Sequence, residues 1–163
     1  MWFKGRVEIM RKMVTVLVAV AALLIGITGP AHAESTTVPG TGDIKKMFAK
    51  NGSGAVVVKI YGPGGKCDIR WVAANLKDRD GTTYQATGGC YPGGAWIKSL
   101  TRGSKTVVCA DYKLTYNATN NFWRFYVPRS CLGRLGNTIR VSGEMTFGPT
   151  PGLAGPTPWL ARG

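Results

Sequence analysis

The sequence predicts an all-β protein: an antiparallel β-sandwich of about eight short strands, tied by two disulfides and preceded by a cleaved signal peptide. Three observations carry that expectation. Glycine and proline, 23 and 9 of 163 residues, interrupt the chain too often for long helices. The segments between those interruptions alternate apolar and polar residues with a period of two. Four cysteines, an even number, all lie beyond an N-terminal segment that has the form of a secretory leader.

The leader comprises residues 1–33. A basic start (Lys4, Arg6, Arg11, Lys12) precedes an apolar run from Met13 to Ile27, and the small-residue triplet Ala31-His32-Ala33 sets the expected cut after Ala33. The run is shorter than the roughly 20 residues a membrane span requires, so no stable membrane span is expected after cleavage. Met1, Met10 and Met13 are alternative starts. Removing residues 1–33 leaves 130 residues with 17 Lys+Arg and 7 acids, a net charge of +10, against +13 for the whole chain. The only histidine, His32, departs with the leader. A chain without imidazole builds neither a Ser-His-Asp or Cys-His site nor a His-ligated zinc or haem centre, so no enzyme and no cofactor is expected.

Residues 34–42, polar and bearing Pro39 and Gly40, are expected to form a flexible lead-in. The sandwich is expected over 43–147. Ile44–Lys50 and Ala55–Tyr61 flank the hairpin turn Asn51-Gly52-Ser53-Gly54. Asp68–Leu76 and Thr82–Thr87 flank Asp78-Arg79-Asp80-Gly81, and Ala95–Leu100 follows a glycine-rich loop. Val107–Tyr116 alternates Val108, Ala110, Tyr112, Leu114 and Tyr116 against polar residues. Phe122–Val127 returns from the polar turn Asn117–Asn121, and Thr138–Phe147 alternates again. Only Met47-Phe48 and Ser130–Leu135 leave room for a helical turn. Residues 148–163 repeat Gly-Pro-Thr-Pro at 148–151 and 155–158, which excludes a central strand and predicts an extended arm or a strap over the sandwich.

The midpoint of Cys67 and Cys90 falls in the turn at Asp78-Arg79, and that of Cys109 and Cys131 falls in the turn at Asn120. Each pair therefore faces across the open end of a predicted hairpin, and the expected disulfides are Cys67–Cys90 and Cys109–Cys131. Loops of this size are worth about 3 kcal/mol each in the chain-entropy picture. No C-x-x-C spacing suggests a reactive thiol.

Around Phe125-Tyr126-Val127-Pro128-Arg129-Ser130-Cys131-Leu132-Gly133 the chain resembles a group of small secreted actinobacterial proteins with no established activity. Gly42-Asp43 before the first hairpin, Thr157-Pro158-Trp159 and the final Arg162-Gly163 extend the resemblance over most of the mature chain. It departs at Pro39, where the group has an acid, and at the acidic stretch after the third strand, reduced here to Asp78-Arg79-Asp80. A cation site built on such acids loses its support. The resemblance implies an exported β-sandwich with Cys109 and Cys131 paired, and nothing about substrate.

The candidate sites are few. Asp78-x-Asp80-Gly81 has the opening of a calcium loop but lacks its remaining ligands, so a hairpin turn is the favoured reading and no metal is expected. Asp111 and Glu144, expected on outward positions of neighbouring strands, are the least poor carboxylate pair for a hydrolase. In Phe122-Trp123-Arg124-Phe125-Tyr126, alternation puts Trp123 and Phe125 on one face and Arg124 and Tyr126 on the other. Arg124 and Tyr126, joined by Tyr112 or Tyr116 across the hairpin, form a candidate aromatic-cationic binding strip, either open or covered by the tail. The other Lys and Arg residues look spread over many strands and turns. The expectation is a secreted monomeric binding protein for an anionic cell-envelope polymer or glycan, with no specific nucleic acid. The alternative is a disulfide-framed interaction or inhibitor domain offering Cys90-Tyr91-Pro92-Gly93 to a protein partner.

Overall fold

The computed structural model describes residues 33–63, 70–90, 96–146 and 150–163. Among the described residues twelve short strands build two antiparallel sheets that share one core, a sandwich-like arrangement. The strands are β1 (Glu34–Pro39), β2 (Lys46–Asn51), β3 (Ala55–Tyr61), β4 (Arg70–Asp78), β5 (Thr83–Cys90), β6 (Trp96–Arg102), β7 (Lys105–Thr106), β8 (Lys113–Asn117), β9 (Phe122–Pro128), β10 (Thr138–Thr146), β11 (Gly152–Ala154) and β12 (Leu160–Ala161). Sheet I has the order β1-β2-β3-β9-β8. Sheet II has the order β11-β10-β4-β5-β6-β7, with β12 also pairing with β10.

Alternation along each strand supplies the core. Met47 and Ala49 of β2, Val58 and Ile60 of β3, and Trp123, Phe125 and Val127 of β9 point inward from sheet I. Val72, Ala74 and Leu76 of β4 and Ile139, Val141 and Met145 of β10 meet them from sheet II. Two glycines set the approach of the layers. A Cβ on Gly143 of β10 would lie 2.9 Å from Ile60 Cδ1 and 3.0 Å from Met47 Sδ, and one on Gly88 of β5 would overlap Leu114 Cδ2. The sheets pack this closely because those positions carry no side chain.

The eight expected strands correspond to β2–β6 and β8–β10, and the described residues hold four more. The expected flexible lead-in is corrected in its first part: Glu34–Pro39 pairs with β2 at six successive positions. It read as loose because an edge strand with one solvated side needs little apolar patterning. The strand expected over Val107–Tyr116 begins only at Lys113. Before it the chain turns, with Tyr112 N–H donating to Cys109 O at 3.3 Å, and Val108 is 96 % exposed, so its place in the periodic pattern carried no burial. Met47-Phe48 lies in β2, and the one helical turn among the described residues is the 3-10 segment Arg129–Cys131.

Residues 150–163 form a strap. Leu153 pairs with Glu144 through β11, Leu160 pairs with Ile139 through β12, and between them Thr157 N–H donates to Val141 O at 2.9 Å. The Thr157 hydroxyl accepts from Val141 N–H at 3.1 Å and donates to Pro158 O at 2.7 Å. Asn51, fully buried at the end of β2, closes that end of the domain: its Nδ2 donates to Asn137 O at 3.0 Å and Leu160 O at 2.8 Å. The Arg129 guanidinium donates to Asn51 Oδ1, to Gly52 O at 3.3 Å and to Gly136 O at 3.4 Å. Burial, and then the nearby charge of Arg162, lowers the Arg129 pKa from its usual value. Three backbone or amide acceptors hold the cation in place nonetheless.

Candidate functional site

Strand pairing decides which side chains share the outer face of sheet I. β3 and β9 pair Val57 with Tyr126, Lys59 with Arg124, and Tyr61 with Phe122. β2 adds Lys50, Phe48 and Lys46 to those three rows, and β8 adds Lys113, Thr115 and Asn117. Because residues in register project to the same side of a sheet, one surface collects Lys46, Lys50, Lys59, Lys113 and Arg124 with Phe48, Tyr61, Phe122 and Tyr126. The only acid in these five strands is Glu34, whose carboxylate accepts the Ala161 N–H at the sheet's edge.

The rings and cations interlock. Lys46 Nζ lies 4.6 Å from the Tyr61 ring centre, and Lys59 Nζ lies 5.6 Å from Phe48 and 5.1 Å from Phe122. The Arg124 guanidinium sits 5.9 Å from the Tyr126 ring, and Tyr61 and Phe122 tilt against each other at 5.2 Å. Each exposed cation–π contact is worth roughly 0.5–1 kcal/mol. Lys59 and Arg124 nevertheless stand directly opposite on adjacent strands, a like-charge pairing that costs stability. Lys113, Thr115, Arg124 and Tyr126 line a shallow concavity of about 210 Å³ at the β8 side.

The structure keeps half of the sequence-derived strip. Arg124 is exposed and Tyr126 half-buried on the outer face, as alternation required, and Trp123 and Phe125 are buried on the inner one. The strap runs along β10 in sheet II. Tyr116 pairs with Trp123 on the inner side, its ring 5.0 Å away and its hydroxyl donating to Asn121 Oδ1 at 2.9 Å, so it leaves the strip. Tyr112 leaves it as well: it is 2 % exposed, its hydroxyl donates to Thr87 O of β5 at 2.9 Å, and its carbonyl accepts from Lys98 Nζ. Burial raises the Tyr112 phenol pKa well above its ordinary value. Tyr112 is therefore a joint between the lead into β8 and sheet II.

The remaining candidates resolve into structural roles. Asp78 is 1 % exposed, and its carboxylate accepts the N–H of Thr82 at 2.8 Å and of Gly136 at 2.9 Å. Asp80 is exposed in the same β4–β5 turn, where Gly81 takes φ 85°. Among the described residues no three His, Cys, Asp or Glu side chains cluster to hold a metal. Asp111 and Glu144 are not on neighbouring strands: Asp111 occupies the turn before β8 in sheet I, and Glu144 sits on β10 of sheet II. Cys109 and Cys131 form a disulfide, Cα–Cα 5.6 Å, that clips the open end of the β8–β9 hairpin. The expected Cys67–Cys90 bond and the loop Tyr91-Pro92-Gly93 lie outside the described residues.

Lys46, Phe48, Lys59 and Tyr61 were missed from sequence because nothing local announces that β3 pairs with β9, more than sixty residues further along the chain. Among the described residues no helix is long and apolar enough to cross a membrane. No protein family, no curated protein and no solved structure matches this chain.

Proposed function

We propose that this is an exported, non-enzymatic binding protein whose sheet I outer face holds an anionic cell-envelope polymer. The observation that supports it best is the segregated surface of five cations and four aromatic rings without an acid among them. A phosphate- or carboxylate-bearing chain neutralises the opposed Lys59 and Arg124, and its sugar or other flat units lie against the rings. The reading includes a leader cut after Ala33, which fits a first strand that starts at Glu34, and a second disulfide, Cys67–Cys90. Binding without catalysis fits a mature chain that has no histidine and whose two candidate carboxylates are far apart in the topology.

The test is co-sedimentation of the exported protein with isolated bacterial cell walls, before and after their phosphate- and carboxylate-bearing polymers are extracted. Retention at low ionic strength on intact walls and its loss on extracted walls is the expected result. With five cations engaged, a fourfold rise in salt should weaken binding by roughly a hundredfold. Equal retention on extracted walls, or none on intact ones, overturns the reading.

A further inference from the structure

We propose that the outer face of sheet II is a second binding site, independent of the first, for a neutral saccharide chain. A trough of about 570 Å³ opens on this face, inside the roughly 300–1,000 Å³ range of small-ligand sites. Its lining is polar: amides and hydroxyls in the middle, Glu144 on one side, and Lys77 and Arg140, paired across β4 and β10, on the other. Pairing places Gln85 of β5, Asn75 of β4 and Ser142 of β10 in one row, with Glu144 one row along. All four side chains are half-buried.

A hydrogen-bond relay runs across the strands through three of them. Gln85 Nε2 donates to Asn75 Oδ1 at 3.0 Å, and Asn75 Nδ2 donates to Glu144 Oε1 at 2.9 Å. The relay fixes the orientation of both amides. Among the described residues, the Gln85 carbonyl oxygen and the second Glu144 oxygen have no protein partner. A fixed acceptor at each end of an oriented polar row suits ligand groups that both donate and accept, and vicinal sugar hydroxyls do both. The Glu144 carboxylate beside the relay disfavours an anion there, Lys77 and Arg140 disfavour a cation on the other side, the amides disfavour a purely apolar ligand, and a lone acid does not make a cation site.

Aromatic rings stand beyond the trough's lining in both directions. At one rim the strap brings Trp159 against Arg140 and Arg79, at 4.6 and 5.3 Å from ring centre to guanidinium carbon. In the other direction Trp71, 40 % exposed, lies on the same face of β4 as Asn75, four residues or roughly 13 Å away. Its partner in register on β5 is Gly89, which has no side chain to cover the indole. In a bound chain, one sugar ring stacks its C–H face on Trp71 while another ring further along reaches the relay with its hydroxyls.

The test titrates the isotope-labelled exported protein with cellohexaose, xylohexaose, mannohexaose and chitohexaose in turn. At about 0.5 M salt the screening length is roughly 4 Å, which silences sheet I. The expected result is that at least one of the four moves the side-chain amide signals of Asn75 and Gln85 and the indole signal of Trp71, with an affinity unchanged by salt. Gln85→Ala and Trp71→Ala should each weaken that binding roughly tenfold at unaltered Tm, as expected for loss of one well-placed contact. Lys59→Glu should leave it unchanged. If none of the four sugars moves those signals, or the shifts map to the Phe122–Tyr126 side, the proposal fails and the sheet I reading is untouched.

Discussion

The two outer faces of this molecule come from one chain with one excess of positive charge, and they handle it in opposite ways. Sheet I gathers lysines and an arginine in register around aromatic rings and leaves acids out. Sheet II lines its trough with amides, hydroxyls and charges of both signs, Glu144 on one side and Lys77 and Arg140 on the other. The difference is one of range. Clustered cations act over a screening length and recognise little beyond charge, whereas an oriented amide relay acts only at contact and recognises geometry. One face is suited to capture, the other to discrimination.

The largest effect that would sharpen the contrast comes from charge reversal. Lys59→Glu with Arg124→Glu should abolish wall retention, by a hundredfold or more in a binding isotherm, and leave saccharide titrations on sheet II as they were. Loss in both assays would mean that the faces are not independent.

Next comes the Cys109–Cys131 bond, which joins the two ends of the hairpin that forms the β8 edge of sheet I. Replacing both cysteines by serine should cost about 3 kcal/mol in denaturant unfolding. Wall binding should fall before saccharide binding as denaturant rises, because the freed edge carries Lys113 and is next to Arg124.

Gly143→Ala tests what the two faces share. The added methyl meets the side-chain ends of Ile60 and Met47 of sheet I, which must repack in a closely filled core, at a cost of roughly 1–3 kcal/mol. Thermal unfolding should report that loss, and both binding activities should decline together as the protein melts.

The smallest effect belongs to Tyr112. Burial raises its folded pKa above that of the unfolded chain, so the fold retains a proton that the unfolded state gives up. Its stabilising contribution is complete below about pH 10 and is lost as pH rises beyond it. Tyr112→Phe should cost about 1 kcal/mol at neutral pH through the lost bond to Thr87 O and should flatten the alkaline decline seen in unfolding titrations.

Local pattern made much of the fold legible. Asn51-Gly52, Asp80-Gly81 and Asn117–Asn121 turn where turn chemistry says they should, and the alternation in β9 and β10 sorted the residues of both strands onto the two faces they occupy. Cys109 and Cys131 were placed by the same hairpin geometry. What stayed hidden was non-local. Tyr112 belongs to the pattern of β8 but is held by Thr87 and Lys98, and the Lys59–Arg124 opposition exists only once β3 and β9 meet. The edge strand β1 was hidden for another reason: Glu34, Ser35 and Thr37 remain exposed, so no burial demanded an apolar signature.

The Arg129–Asn51 cluster has a consequence for the order in which the molecule takes shape. It joins Asn51 and Gly52 to Arg129, Gly136, Asn137 and Leu160, and Gly163 N–H also reaches Asn51 O at 3.2 Å. Contacts of such long sequence separation form late and slowly. A chain that lacks residues 160–163 cannot complete this cluster, so the domain closes at this end only once a segment more than one hundred residues beyond β2 is in place.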